Sequence, residues 1–149
     1  MTKCVIADGT EVDKDVKAIL NGAKTIAVVG LSDKESSASN RVARYLKEKG
    51  YTIIPVNPRY RELLGETSYP DLDSIPVQVD VVDIFRNIEA IPAIVEEAIA
   101  SKVGAVWMQL GLVHEGAAAK AKDAGLRVVM DKCMKIEHDR LCRVPRQAE

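Results

Sequence analysis

Apolar residues follow two spacings that alternate along the chain. Helical spacing, one apolar residue every three or four, predicts a helix over residues 11–22, which Asn21 and Gly22 close. Short aliphatic runs are typical of strands buried on both faces. They predict five strands, over residues 25–29, 51–56, 79–85, 105–109 and 127–130.

Amphipathic or alanine-rich segments separate these strands and predict helices over residues 40–49, about 92–101, 114–125 and 133–141. The polar stretch after the second strand reads as a connector with one short helical turn over 72–75, and the tail from residue 145 as frayed. Strands joined by helices imply right-handed crossovers and a parallel sheet. The sequence therefore predicts one doubly wound α/β domain over residues 1–149, a five-stranded parallel sheet flanked by helices.

Composition narrows the possible partners. The chain has 149 residues and a net charge of −1, which gives no general attraction to nucleic acid or to an anionic membrane surface. Aromatic residues make up only 4%, too few for a platform that stacks bases. No apolar run reaches the length of a membrane helix, and three sparse cysteines fit a reducing cytoplasm better than a disulfide framework. We therefore expect a cytoplasmic protein with an aliphatic core.

The first strand ends at Gly30, and a hydroxyl-rich loop containing Leu31, Ser32 and Lys34 leads into the next helix. Free N–H groups and the helix dipole make such a junction an anion site. Only the first glycine of the dinucleotide fingerprint is present, because Ser32 and Glu35 occupy the other two positions. The other reading is structural: Gly30 turns the chain, and Ser39 or Asn40 caps the helix.

The second strand ends in Asn57, Pro58 and Arg59, where an NAD site would have an acidic residue for the ribose hydroxyls. A cationic loop instead suits a phosphate on the ribose, a feature of both NADP and coenzyme A. A proline-tightened turn with two solvated arginines, Arg59 and Arg61, is the alternative reading.

The later strands place further candidates at the same edge of the sheet. Phe85 and Arg86 follow the third strand, so a cation lies where a diphosphate would bind, and Trp107 reads as core. The fourth strand runs into Gln109, Leu110 and Gly111, and this glycine allows a close backbone approach to a ligand.

Cys133 follows Asp131 and Lys132 at the mouth of the predicted crevice. The neighbouring lysine favours a thiolate, whereas the alternative is an inert buried thiol. No hydrolase elbow, Walker motif or zinc-ligand spacing occurs, and His114 and His138 read as surface or capping residues. The sequence therefore nominates a binding crevice with no catalytic residues and no metal site.

Five segments together resemble the small stand-alone CoA-binding proteins, whose domain is also found at the start of the succinyl-CoA synthetase α subunit. They are KTIAVVGLS at 24–32, SNRVARYL at 39–46, IPVNP at 54–58, WMQLG at 107–111 and VMDKCMKIEH at 129–138. The resemblance covers about residues 15–142 and implies a Rossmann-like domain that binds coenzyme A. It departs from the family at His114, where the family often has asparagine, and it lacks the synthetase's second domain with the catalytic histidine.

Carried over to the matching positions, the resemblance implies which residues lie near each part of coenzyme A. The phosphates would lie near Gly30, Leu31, Ser32 and Arg41, and the adenosine near Asn57, Pro58 and Arg59. Phe85 and Arg86 would form one wall, with Gln109, Leu110 and Gly111 beside the pantetheine and Cys133 beyond it. Near-neutral net charge requires local cations to hold this polyanion, and Lys34, Arg41, Arg59, Arg61 and Arg86 all fall at the predicted strand ends.

The prediction is a CoA or acyl-CoA binding protein that is non-catalytic alone and acts as carrier, sensor or partner subunit. The alternative is an NADP-linked oxidoreductase of the same fold, in which Arg59 and Arg61 would hold the 2′-phosphate. A narrower hypothesis is that Cys133 forms a mixed disulfide with the CoA thiol.

Overall fold

The structure, a computed structural model, describes residues 14–142 of the chain. Its helices are α1 (Lys14–Gly22), α2 (Ala38–Glu48), α3 (Ile91–Ala100), α4 (Glu115–Asp123) and α5 (Met134–Cys142). Its strands are β1 (Thr25–Val29), β2 (Thr52–Val56), β3 (Glu62–Leu63), β4 (Glu66–Thr67), β5 (Val81–Ile84), β6 (Ala105–Met108) and β7 (Arg127–Val129). A 3₁₀ turn at Ile88–Ala90 leads into α3.

One parallel sheet of five strands, in the order β2-β1-β5-β6-β7, organises the domain. Ala27 on β1 lies opposite Ile54 on β2 and Val82 on β5. The chain therefore moves outward from β1 to β2 and then returns to the other side of β1. In such sheets a ligand crevice forms beyond the carboxyl ends of the strands where the order reverses, here between β1 and β5. The predicted doubly wound α/β fold is confirmed.

Two apolar layers cover the faces of this sheet. Because successive strand residues point to opposite faces, Val29 packs with α3 and α4, while Val28 packs with α1, α2 and α5. Every residue of β5 and β6 is buried. Trp107 lies fully buried within β6, in the core as predicted.

The connector after β2 contains a hairpin that the sequence pattern did not predict. β3 and β4 pair antiparallel, and the two residues between them, Leu64 and Gly65, have φ of 54° and 75°. Positive φ at both central positions is what a two-residue hairpin turn requires. Lys47 on α2 fastens this turn, since its ammonium donates to the Leu64 carbonyl at 2.7 Å and pairs with Glu66 at 3.0 Å.

Most element ends lie close to the predicted ones. α2 begins earlier, at Ala38, because Ser37 is its N-cap and accepts from the Asn40 N–H at 3.2 Å. The part of the alternative reading in which Ser39 or Asn40 caps this helix is wrong. The turn predicted over 72–75 is a single bond, from the Ile75 N–H to the Leu72 carbonyl at 3.1 Å. Residues 11–13, the tail from 145 and Cys4 lie outside the described residues.

The two histidines have different roles. His114 caps α4, as predicted, because its Nδ1 accepts from the Ala117 N–H at 3.0 Å. His138 is not a surface residue: it is 3% exposed, and its Nδ1 lies 2.9 Å from the Tyr45 hydroxyl of α2. Tyr51 meets the same imidazole edge-on, and burial raises the pKa of Tyr51 to about 12. His138 therefore joins α5 to α2.

Within residues 14–142, no helix is both long and apolar enough to cross a membrane. The same part of the chain holds no group of three or more His, Cys, Asp or Glu side chains placed to bind a metal ion.

Candidate functional site

Gly30 brings the ends of β1 and β5 into close contact at the point where the strand order reverses. Its φ is 90°, and its N–H donates to the Val56 carbonyl at 2.9 Å. A Cβ at this position would lie 2.7 Å from the Phe85 carbonyl oxygen and 2.8 Å from Arg86 Cδ. Both the backbone conformation and the spacing therefore require glycine here.

The loop after Gly30 is tied to the first turn of α2 by polar side chains. The Ser32 N–H donates to Ser39 Oγ at 3.0 Å, and its carbonyl accepts from Asn40 Nδ2 at 2.8 Å. Ser32 Oγ in turn accepts from the Lys34 N–H at 3.1 Å. Ser39 and Asn40 are buried although polar, because they carry these bonds. The loop is therefore held in place by the protein's own bonds.

Two arginines of α2 also hold this loop. Arg41 donates to the Ser36 carbonyl at 2.6 Å, and Arg44 donates to the Glu35 carbonyl at 2.9 Å and to Asn40 Oδ1 at 2.7 Å. Both guanidinium groups lie at the start of the helix, where the positive end of its dipole adds to their charge.

Asn57 connects the loops that follow β1 and β2. Its Nδ2 donates to the carbonyl of the buried Leu31 at 2.9 Å, and its Oδ1 accepts from the Arg59 N–H at 3.0 Å. Tyr60 makes a second connection, since its hydroxyl donates to Asp33 Oδ1 at 3.0 Å, and this bond raises the pKa of Tyr60. The two loops therefore form one unit, with Arg59 exposed on it.

A cavity of about 430 Å³ lies between the N-terminal ends of α2 and α5, above the ends of β5 and β6. Three cations contribute to its wall, Arg41, Arg86 and Lys135. The other lining residues are Ala38, Val42, Phe85, Gln109, Leu110, Leu112, Cys133 and Ile136. No carboxylate of the described residues is among them. This wall suits a ligand that carries an anionic group, because cations concentrated in a cleft focus a positive potential there. The apolar residues of the wall suit an uncharged part of the same ligand.

The structure brings some of the predicted site residues together at this cavity and places the others around it. Those that line it are Arg41, Phe85, Arg86, Gln109, Leu110 and Cys133. Those outside its lining are Gly30, Leu31, Ser32, Lys34, Asn57, Pro58, Arg59 and Gly111. Leu31 is fully buried, so its side chain faces the core. The Gly111 N–H is engaged by Asp131 Oδ1 at 2.7 Å.

Gln109 forms a buried polar link beneath the cavity. It is 4% exposed, and its Nε2 donates to Asp83 Oδ1 on β5. Its Oε1 accepts from the N–H of Met134, the first residue of α5, at 3.4 Å. Asp83 is fully buried, and burial raises the pKa of its carboxyl to about 7, although the bond from Gln109 lowers it. A buried carboxyl group thus lies between Val28 and Trp107, its register partners in the sheet.

The segment before α5 carries Cys133 to the cavity. The Trp107 indole N–H donates to the Lys132 carbonyl at 2.8 Å, which fastens this segment against β6. Cys133 is half-buried and lines the cavity, so it is not the fully buried thiol of the alternative reading.

Sequence reasoning missed the contribution of α5 and of the interior of β5. Lys135 and Ile136 belong to a predicted helix, but nothing in the local pattern shows that its first turn faces α2. Asp83 did leave a signal, because it is a lone carboxylate in the otherwise aliphatic run of residues 81–84. A charged residue in a buried strand requires a polar partner.

Comparison with known proteins adds relatives of similar length. An uncharacterised protein of Bacillus subtilis, YneT, is 40% identical over 124 residues, which span 83% of this chain and 92% of that protein. A hypothetical protein from Pyrococcus horikoshii OT3 has a solved structure with a TM-score of 0.83 and 38% identity, covering 95% of this chain and 99% of that one.

A longer relative is an enzyme. The acetate–CoA ligase [ADP-forming] I of Archaeoglobus fulgidus is 36% identical over 94 residues, which are 62% of this chain but 14% of the ligase. The sequence profile of the family described as a CoA binding domain matches residues 24–139. That match includes β1 through most of α5, and with it the whole wall of the cavity. The chain therefore belongs to the CoA binding domain family.

Proposed function

We propose that this protein binds coenzyme A or an acyl-CoA in the cleft between the N-terminal ends of α2 and α5. The observation that carries the proposal is the cavity wall, which combines Arg41, Arg86 and Lys135 with apolar side chains and no carboxylate of the described residues. Coenzyme A has a matching division, because its phosphates are anionic and its pantetheine arm is uncharged.

The phosphate end is assigned to the start of α2. Ala38, in the first turn of this helix, lies in the cavity wall beside Arg41. A helix N-terminus with an adjacent guanidinium provides both dipole and charge for a diphosphate. Arg86 approaches from the end of β5, next to Gly30. The diphosphate would then lie at the switch point, with the pantetheine directed along Gln109 and Leu110 toward Cys133.

The adenosine end is assigned to the unit formed by the loops after β1 and β2. Arg59 is exposed on this unit, and the neighbouring Arg61 is also exposed. We assign the 3′-phosphate of the cofactor to these two side chains. Lys34 is exposed on the facing loop and supplies a further cation. The bond between Tyr60 and Asp33 keeps the two loops at a fixed separation.

The role we assign is that of a non-catalytic binding protein: a carrier, a sensor or the CoA-binding partner of another subunit. The cavity wall supplies cations, apolar groups, an amide and one thiol. The ligase relative shows the same kind of domain as a small part of a larger enzyme. We also place the protein in the cytoplasm, where the thiol of Cys133 stays reduced.

Titration calorimetry tests the proposal with coenzyme A, dephospho-CoA and NADPH. We expect coenzyme A to bind with a micromolar dissociation constant, since three charge-assisted hydrogen bonds of about 3 kcal/mol each supply the roughly 8 kcal/mol that this affinity needs. Dephospho-CoA should bind at least tenfold more weakly, because Arg59 and Arg61 lose their phosphate. Equal affinities would refute this assignment of the two arginines. Binding of NADPH alone would favour an oxidoreductase and overturn the proposal.

Arg41 and Arg44 form a matched pair of variants. Both donate to carbonyls of the same loop, but only Arg41 lines the cavity. Arg41→Ala should weaken coenzyme A binding by about tenfold or more, the value of one charge-assisted bond. Arg44→Ala should leave the affinity within about twofold if the contribution of Arg41 is direct. Similar losses in both variants would show that the arginines act only by holding the loop.

A further inference from the structure

Asp83 lies on β5, the central strand of the sheet, and is bonded to Gln109, which lines the cleft. It is 0% exposed, between Val28 of β1 and Trp107 of β6, which are its register partners. Its Oδ1 accepts from Gln109 Nε2, while its Oδ2 has no hydrogen-bond partner among residues 14–142. A buried polar atom left unpaired is costly. Packing alone would favour an apolar residue at this position.

The bond from Asp83 determines which way the Gln109 amide points. An amide has two N–H donors on nitrogen and two lone pairs on oxygen. One N–H goes to Asp83 and one lone pair accepts from the Met134 N–H, so the amide cannot turn over without losing both bonds. One N–H and one lone pair are then left over. Gln109 also lines the cavity, so this N–H and this lone pair are the groups of its amide that a ligand bound there could engage.

We propose that Asp83 is a positioning residue for ligand binding: it orients the Gln109 amide so that the remaining N–H and lone pair recognise an amide group in the ligand's arm. The inference rests on the proposed function, in which the pantetheine arm, with its two secondary amides, passes Gln109. A secondary amide offers one carbonyl and one N–H, the complement of what Gln109 has left. The unpaired oxygen of Asp83 is then the cost of holding Gln109 in this orientation.

Two ligands separate positioning from general damage to the fold. Coenzyme A contains the pantetheine arm. Adenosine 3′,5′-bisphosphate lacks this arm but keeps the adenosine with phosphates at its 3′ and 5′ positions. Asp83→Leu removes the acceptor for Gln109. We expect it to weaken coenzyme A binding about tenfold and to leave bisphosphate binding within about twofold. Gln109→Met, which keeps the chain length but has no amide, should show the same separation.

The conservative variant and a packing control complete the experiment. Asp83→Asn can still accept from Gln109 through its carbonyl oxygen, so it should retain coenzyme A affinity within about threefold. Ile84→Val trims the neighbouring residue, which is fully buried on the opposite face of β5, and should change neither affinity. Asp83→Ala serves as a second variant should the larger leucine prevent folding.

The outcomes are distinct. Equal weakening of both ligands in Asp83→Leu or Asp83→Ala would show that Asp83 only supports the fold, and unchanged coenzyme A binding would show that it does not orient Gln109. Either result overturns the inference and leaves the proposed function standing. A wild-type protein that binds neither ligand would refute the proposed function, and the inference with it.

Discussion

Replacing Gly30 by alanine tests whether the close contact between β1 and β5 builds the cleft. The φ of 90° is unfavourable for an L-residue by roughly 1–2 kcal/mol. The new Cβ would also lie 2.7 Å from the Phe85 carbonyl oxygen, well inside ordinary contact. That oxygen is backbone, and the Phe85 N–H bonds the Val29 carbonyl at 2.9 Å, so moving it disturbs the sheet. Overpacking of this kind costs about 1–3 kcal/mol more.

Gly65 provides the matched control. Its φ is 75°, but a Cβ there meets nothing within 4 Å. Gly65→Ala therefore carries only the conformational cost of roughly 1–2 kcal/mol, whereas Gly30→Ala should lose about 2–5 kcal/mol in all. Urea unfolding with linear extrapolation measures both, and the slope m should stay constant. Gly30→Ala should also weaken coenzyme A binding, because Arg86 must shift. Equal destabilisation of the two variants would refute the argument from close contact.

Three further predictions concern single residues. Burial raises the pKa of the Asp83 carboxyl from 3.8, its value in the unfolded chain, to about 7 in the folded protein. Because the folded state holds the extra proton between these values, the free energy of unfolding should fall by about 2–3 kcal/mol as the pH rises from 5 to 8. Urea unfolding at pH 5 and pH 8 should show a much smaller change in the free energy of unfolding for Asp83→Asn than for the wild-type protein. The same change in both proteins would contradict the role of this carboxyl. His114→Ala should lower the free energy of unfolding by about 1 kcal/mol because it removes the cap of α4, whereas His114→Asn keeps a capping side chain and should not. Thermal unfolding that fails to separate the two variants would argue against capping. When the protein is incubated with CoA disulfide, the thiolate of Cys133 should attack one sulfur of the reagent, which forms a protein–CoA disulfide and releases CoA thiolate. The intact mass of the protein should then show this adduct. An intact mass without the adduct, or an adduct that persists in Cys133→Ser, would refute the hypothesis.

The aliphatic runs and the amphipathic segments between them were enough to predict the five-stranded α/β fold. A strand buried on both faces needs continuous apolar residues, and that requirement is local in sequence. The strand ends were predictable for the same reason, so Arg86 and Gln109 could be nominated before their neighbours were known. The short hairpin was not predictable, because strands of two residues show no period. Its turn instead depends on Lys47, a contact from α2.

Only the tertiary structure decided which of the nominated residues line the cavity and which lie outside its lining. Residues after different strands share one edge of a parallel sheet, but their distances depend on strand order and on how the helices pack. The order placed β5 beside β1, so that Gly30 meets Phe85, and the packing of α5 on α2 added Lys135 to the cleft. The same packing buried His138, which by its polarity alone reads as a surface residue. The bond between Asp83 and Gln109 likewise joins residues 26 positions apart, a relation set by strand register and by no local pattern.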